Sequence, residues 1–313
     1  MFAICVHAFE PDNLVYEETE QPKAGPGEVL IRNQAAGVNP IDWKTCSGGG
    51  ASGFIEQFPF IPGWEFSGII EACGEGVDTF NVGDAVLGFV RFPTPASTYA
   101  EYLTAPADQI ALRPEGLDAL TAGGLGLAGL TAWQALFDKG ELKTGQKVLV
   151  LAGAGGVGHL AVQLAAIHEA QVSATCSTAN IEFLQSLGCQ EVIDYTRADM
   201  RDYADTFDLI IDGVGGDTAI NALITLKPGG RMVTLPSVTA AQVAAAAEGT
   251  DVTVEPIRVV PNPQQLASLA NLVADGKLIL KLAKTFPLSD AAAAHKLSAT
   301  GKTVGKILLS ISE

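Results

Sequence analysis

The chain has 313 residues, 48% of them hydrophobic and 17% charged, and a formal net charge of −16. Those proportions exclude a disordered chain, and the length suits two domains better than one. The acidic balance argues against nucleic acid and anionic membrane surfaces as partners.

The opening stretch, MFAICVHAFEPD, has no basic region and no long apolar run, so no signal peptide is expected. The uncharged stretch Ala119–Phe137 is broken by glycines, threonines and Gln134, so it does not read as a membrane span. Cys5, Cys46, Cys73, Cys176 and Cys189 are scattered and form no C-x-x-C pair. Neither a disulfide framework nor a structural zinc site is indicated, and a reducing cytoplasm is the expected compartment.

Residues 1–118 read as β-rich. Val29–Arg32, Gly68–Ala72 and Ala85–Phe89 suit strands, separated by dense turn signals such as Gly25-Pro26-Gly27, Pro62-Gly63 and Gly83-Asp84. Short strands with frequent turns suggest a small barrel or sandwich. From residue 119 the pattern alternates between strand and helix. Strands are expected at Val148–Leu151, Val172–Cys176, Glu191–Tyr195, Phe207–Asp212, Arg231–Leu235 and Val252–Ile257. Helices are expected from His159, at Ile181–Leu187 and at Thr218–Leu226, with the Ala-rich 240–247 also helical. This alternation predicts an α/β doubly wound parallel sheet over 119–262. Beyond it, 263–313 carries helices at Gln264–Asp275 and Ser289–Ser298, a strand near Ile279 and a strand at Lys306–Ile311. Composition leaves open whether that segment extends the parallel sheet or returns to the β-rich domain.

The most informative stretch is KVLVLAGAGGVGHLAVQLAAIHEA, from Lys147 to Ala170. Gly153, Gly155 and Gly158 stand in G-x-G-x-x-G spacing between an apolar strand and an apolar helix, the context a dinucleotide site requires. Gly153 allows the tight turn, Gly155 the approach of a pyrophosphate, and Gly158 close packing of helix on strand. The second strand ends Cys176-Ser177-Thr178-Ala179-Asn180, without the acid that usually binds a ribose 2′-hydroxyl. No carboxylate there repels a 2′-phosphate, and no lysine or arginine lies near in sequence to attract it. Ser177, Thr178 and Asn180 are candidate partners for a 2′-phosphate, so NADPH is expected in preference to NADH.

His7, His159, His168 and His295 form no HExxH or other catalytic spacing and read as helix-surface or turn residues. Asp42 and Lys44 read as a solvated pair in a turn. Glu65, in Pro62-Gly63-Trp64-Glu65-Phe66, stands among apolar neighbours and is a stronger candidate for a role.

Taken together, AAGVNPIDWK (35–44), PGWEFSGIIEACGEGVDTFNVGD (62–84), LAGLTAWQAL (127–136), the glycine turn, LGCQEVIDY (187–195), DGVGG (212–216) and FPLSDAAAAHKLSATGKTVGKILL resemble the zinc-independent quinone oxidoreductases of the medium-chain dehydrogenase/reductase superfamily. The resemblance spans nearly the whole chain. It implies a GroES-like first domain over 1–118, completed by 263–313, a Rossmann domain over 119–262, a cofactor in the cleft and a homodimer. It also implies no catalytic zinc, since Asn39, Trp64 and Leu127 stand where zinc-dependent members carry ligands. Asn39 would touch the nicotinamide ribose and Thr131 its carboxamide. Gly155, Gly156 and Val157 would hold the pyrophosphate, with Ser177 and Tyr195 at the adenosine ribose. Val214, Gly215, Pro236 and Ser237 would line the cofactor. Lys44 completes N-P-x-D-x-K, which is similar to the alkenal/enone oxidoreductase subgroup, and is the candidate catalytic cation. The implied activity is hydride transfer from NADPH to a quinone, with reduction of an enone or alkenal C=C bond as the alternative. A non-catalytic NADPH-binding role, as in lens zeta-crystallins, is a third reading.

Overall fold

A computed structural model describes residues 1–10 and 13–311. The chain divides into two compact units, residues 1–130 together with those from Val260 onward, and Thr131–Val259.

In the first unit β1 (Phe2–Cys5) pairs antiparallel with β2 (Val15–Glu18). β3 (Glu28–Val38) runs further than the expected Val29–Arg32. Helix α1 (Pro40–Cys46) follows at once, where the sequence alone suggests only a turn. Pro40 at its first position presets φ, and the Asp42 carboxylate accepts the Asn39 N–H at 2.7 Å, so the helix start is fixed from both sides. β4 (Glu65–Cys73), β5 (Ala85–Phe89), β6 (Tyr102–Pro106) and β7 (Ile110–Leu112) follow, then α2 (Ala119–Gly123) and α3 (Gly126–Trp133). The unit boundary falls later than residue 119 because α2 packs on β3. A Cβ at Gly123 would stand 2.7 Å from that of Ala35.

The second unit contains β8 (Lys147–Val150), α4 (Gly158–Ile167), β9 (Gln171–Cys176), α5 (Ile181–Ser186) and β10 (Glu191–Asp194). It continues with β11 (Phe207–Asp212), α6 (Gly216–Ala222), β12 (Leu226–Thr234), α7 (Ala240–Ala246) and β13 (Thr253–Pro256). The strands form one parallel sheet in the order β10-β9-β8-β11-β12-β13. Counted from β8, this is the 3-2-1-4-5-6 order of doubly wound folds, which bind ligands beyond the carboxyl ends of their strands. The middles of the two central strands are apolar, as a parallel sheet buried on both faces requires. Val148, Leu149, Val150, Leu209, Ile210 and Ile211 are all buried.

The last segment returns to the first unit. It comprises α8 (Pro263–Ala274), β14 (Leu282–Pro287), α9 (Ala291–Ala299) and β15 (Lys306–Ser310). β15 pairs antiparallel with β3, Ile307 opposite Val38, giving the order β14-β15-β3-β4-β5-β7 with β6 also paired to β3. The strand expected near Ile279 is not there. Leu278 and Leu280 are buried while Ile279 is exposed, which mimics strand alternation, but the ladder begins only at Leu282. Ile4, Val38, Tyr99, Phe286, Ile307 and Leu309 share one apolar core. Among the described residues, no helix is long and apolar enough to cross a membrane.

Candidate functional site

After β8 the backbone turns at Ala152, φ 55°, and enters α4 at Gly158. The three motif glycines meet different surroundings. A Cβ at Gly153 would lie 2.7 Å from that of Ala174, and one at Gly158 would lie 2.2 Å from the Ala152 carbonyl oxygen. The protein itself forbids both. A Cβ at Gly155 would meet only the Ala152 oxygen, at 3.2 Å, and otherwise open space. The N–H groups of Gly156, Val157 and Gly158 have no hydrogen-bond partner among the described residues. Open donors at the positive end of a helix suit a pyrophosphate. His159 is fully buried and donates from Nδ1 to the Gly155 carbonyl at 2.8 Å, bracing the turn. Its reading as a surface histidine is therefore corrected: in an apolar helix packed on both sides, the first turn faces inward too.

Ser177, Thr178 and Asn180 follow β9, and Tyr195 follows β10. Val214 and Gly215 follow β11, and Pro236 and Ser237 follow β12. With Gly153, Gly155, Gly156, Val157 and Gly158 after β8, they lie at the carboxyl ends of neighbouring strands of one sheet. Buried Asp212 fixes this edge. It accepts Val214 N–H at 2.9 Å, Gly215 N–H at 2.8 Å and the Thr234 hydroxyl at 2.6 Å. Thr131 is buried in α3, away in sequence from these strand ends, and Asn39 belongs to the first unit.

Sheet pairing corrects one expectation at the end of β9. That strand end has no acid of its own, but Asp194, the register partner of Cys176, brings one from β10. Asp194 accepts the Thr178 hydroxyl at 2.5 Å, and the Thr196 N–H and hydroxyl at 2.9 and 2.7 Å. These donors, Thr178 first, hold its carboxyl below the ordinary value. Arg197 Nε lies 3.8 Å from Asp194 Oδ2. Both a carboxylate and a guanidinium thus stand at a strand end whose own sequence contains neither.

The first unit holds a buried polar network. Glu65, fully buried at the start of β4, accepts Asn39 Nδ2 at 2.7 Å and Lys306 Nζ at 2.8 Å on Oε1. Its Oε2 accepts the Leu127 N–H at 2.7 Å. Lys306, buried at the start of β15, also donates to Asn39 Oδ1. Gly37 leaves the room, since a Cβ there would stand 2.0 Å from Glu65 Oε1. Asp42 Oδ2 accepts the Asn39 N–H and, at 2.8 Å, the Tyr99 hydroxyl, while its Oδ1 has no partner among the described residues. His295 Nε2 is 3.3 Å from the Tyr99 oxygen. Because the tyrosine hydrogen goes to Asp42, His295 is the donor in that bond.

Burial pushes the Asp42 carboxyl up to about 7, against the pull of the Asn39 N–H and Tyr99. Burial also lowers His295 to about 4 and raises Tyr99 well above its ordinary value, with the Asp42 charge adding to the tyrosine's shift. The solvated Asp42–Lys44 pair is corrected accordingly, because Asp42 faces the interior. Lys44 is half-buried, its Nζ 5.4 Å from the Trp43 ring centroid. His295 is likewise interior rather than on the surface.

The residues at the positions matching zinc ligands do not fit zinc. Trp64 is buried and donates from Nε1 to the Thr94 carbonyl at 2.8 Å. Leu127 offers only backbone, both side-chain heteroatoms of Asn39 are bonded, and an ammonium already occupies the adjacent carboxylate. Zinc takes thiolate, imidazole and carboxylate donors, which this set lacks in number. Among the described residues, no group of three His, Cys, Asp or Glu could hold a metal ion.

A glycine turn with open donors in a 3-2-1-4-5-6 parallel sheet, inserted within a β-rich unit built from both flanks, defines a nicotinamide-dependent oxidoreductase. The chain belongs to the medium-chain dehydrogenase/reductase superfamily, in its quinone-oxidoreductase-like branch. It matches the alcohol dehydrogenase GroES-like domain over residues 25–115 and the zinc-binding dehydrogenase family over residues 187–309. A chloroplast envelope quinone oxidoreductase homolog of Arabidopsis thaliana is 32% identical over 308 residues, covering 95% of this chain and 93% of the relative. An NADPH-dependent alkenal/one oxidoreductase of the same plant is 34% identical over 221 residues, 68% of this chain and 56% of the relative. The solved quinone oxidoreductase from Coxiella burnetii superposes with a TM-score of 0.95 at 38% identity, covering 100% of this chain and 99% of that one. A mycobacterial protein complexed with NADPH gives a TM-score of 0.83 at 30% identity, covering 99% of each.

Proposed function

We propose that this protein is an NADPH-dependent reductase that transfers hydride to quinones without zinc. Two observations in one chain carry the reading: an open glycine turn in the second unit, and in the first a Glu65–Lys306–Asn39 cluster in which the ammonium already compensates the carboxylate. The nicotinamide supplies the hydride. With no Lewis acid to polarise an alcohol or ketone, the acceptor must already be electron-poor, and a quinone, which delocalises incoming charge onto oxygen, meets that need. Positioning against such an acceptor is the main catalytic device.

Gly155, Gly156, Val157 and Gly158 are read as the pyrophosphate cradle, with Gly153 shaping the turn. Ser177, Asn180 and Tyr195 are read at the adenosine side, and Val214, Gly215, Pro236 and Ser237 along the cofactor. Thr131 and Asn39 are read at the nicotinamide. For Asn39 the internal bonds to Glu65 and Lys306 mean that only its remaining amide hydrogen and lone pair would serve. Lys44 is read as the cation that stabilises charge developing on the acceptor. A specific feature favours the second reading, reduction of the C=C bond of α,β-unsaturated aldehydes or ketones: Lys44 completes the N-P-x-D-x-K pattern. Steady-state turnover of a quinone, alkenal and enone panel with NADPH, with product identification, tests both. Loss of quinone turnover alongside a saturated carbonyl product would favour the second reading. No turnover of any acceptor would leave a non-catalytic NADPH-binding role. Elemental analysis showing one zinc per chain, with activity lost on chelation, would overturn the zinc-free chemistry.

A further inference from the structure

The end of β9 is where a doubly wound fold meets the adenosine ribose. The donors there can be counted. The Thr178 hydroxyl gives its hydrogen to Asp194 at 2.5 Å, so it has none left for an anion. Ser177 Oγ accepts from Asn180 Nδ2 at 3.2 Å and keeps its own hydrogen free. Tyr195 is exposed, and its N–H donates to the Cys176 carbonyl at 3.1 Å, which holds it beside that strand end.

Arg197 adds a cation. Its backbone N–H donates to the Asp194 carbonyl at 3.0 Å, and its guanidinium stands 3.8 Å from Asp194 Oδ2, too far for a strong hydrogen bond. Thr178 bonds the same oxygen, so Arg197 Nε and Thr178 Oγ1 lie no more than about 6.3 Å apart, the sum of those two distances. The next arginine, Arg201, is committed to Asp199, with its Nε at 2.9 Å from one oxygen. Arg197 is thus held near the β9 end with its fork of donors unspent, the geometry suited to a phosphate.

We propose that Arg197 selects the 2′-phosphate of the cofactor, together with Ser177 and Tyr195, and that Asp194 opposes it. Asp194 is a positioning and counter-charge residue: it draws Arg197 toward the strand end and removes Thr178 from phosphate binding, while its own charge repels the phosphate. The inference rests on the NADPH reading and deepens it by assigning the specificity to two residues of the neighbouring strand end.

The test compares 2′,5′-ADP with 5′-AMP, which differ only in the 2′-phosphate, by calorimetry on the full chain, and kcat/KM for NADPH and NADH with one quinone. Arg197→Ala should weaken 2′,5′-ADP about tenfold and leave 5′-AMP unchanged, as expected for losing one charge-assisted contact at an exposed site. Arg197→Lys should restore part of that loss. Asp194→Asn keeps the acceptor for Thr178 but removes the charge, so 2′,5′-ADP should bind about fivefold tighter. The opposite signs separate charge selection from structural damage. Equal weakening of both ligands by Arg197→Ala, no change at all, or weaker 2′,5′-ADP binding in Asp194→Asn would overturn the proposal. A wild type that binds both ligands equally and uses NADH as well as NADPH would instead overturn the NADPH reading.

Discussion

Replacing Lys306 with methionine should be among the most damaging single changes in the first unit. The variant keeps most of the side-chain volume but deletes the ammonium 2.8 Å from Glu65 Oε1. Glu65 stays fully buried, with only the Asn39 amide and the Leu127 N–H, each at 2.7 Å, to hold its charge. Breaking a buried pair from one side costs about 3–5 kcal/mol, because the remaining ion has lost both water and partner. With a urea m-value of about 3 kcal/mol/M, the midpoint should fall by roughly 1–2 M. Trp43 and Trp64 lie in the first unit, so tryptophan fluorescence reports mainly its transition. Adding Glu65→Gln should recover most of the loss, since glutamine still accepts the Leu127 N–H and no longer carries a buried charge. A loss below about 1 kcal/mol, or a double variant weaker than the single one, would refute the view that the pair is held by charge compensation.

Two buried groups should pull stability in opposite directions with pH. Asp42, raised to about 7, binds a proton more readily folded than unfolded, so its contribution is full below about 4 and is lost as pH rises through 7. His295, lowered to about 4, contributes above about 6.5 and loses that contribution as pH falls toward 4. Between pH 4 and 6.5 the two offset each other. Asp42→Asn should therefore make stability fall more steeply on acidification, and His295→Gln should make it rise, in urea midpoints measured across that range; parallel profiles in all three proteins would contradict this. Gly155→Val should abolish most NADPH affinity in a folded protein, whereas Gly158→Ala should lower thermal stability as well, because its Cβ would press to 2.2 Å of a backbone oxygen. Calorimetry beside circular dichroism separates the two. Lys44→Ala should lower kcat with a quinone or an alkenal more than it weakens NADPH binding, and unchanged turnover on both would remove Lys44 from the mechanism.

The parallel sheet was legible because its signals are local. An apolar run, a glycine turn and a helical period each lie within a few residues, and so do the open cradle at Gly155 and the strand ends that follow. Glu65 was legible as an anomaly, a charge among apolar neighbours. Lys306 gives the same signal in Val304-Gly305-Lys306-Ile307-Leu308, a lone cation entering an apolar strand, and the two could have been paired on that ground. Asp42, Tyr99 and His295 could not. Their partners come from α1, the loop before β6, and α9, and only the pairing of β15 with β3 brings these together. The same holds for Asp194 and Arg197, which are remote from Thr178 in sequence and adjacent through the β9–β10 register.

The interleaved layout of the first unit has a consequence for synthesis. Lys306 leaves the ribosome 241 residues after Glu65. Every strand of the parallel sheet is complete by Pro256, before β14 and β15 exist. The nascent β3 edge that β15 will cover stays unpaired, and Glu65 stays without its counter-ion, while the intervening unit is free to fold. The two units therefore mature in the reverse of the order in which they begin. A cell limited in holdase chaperones should accumulate chains with a finished nucleotide fold beside an open β-rich unit, detectable as selective protease sensitivity in β3 and β4.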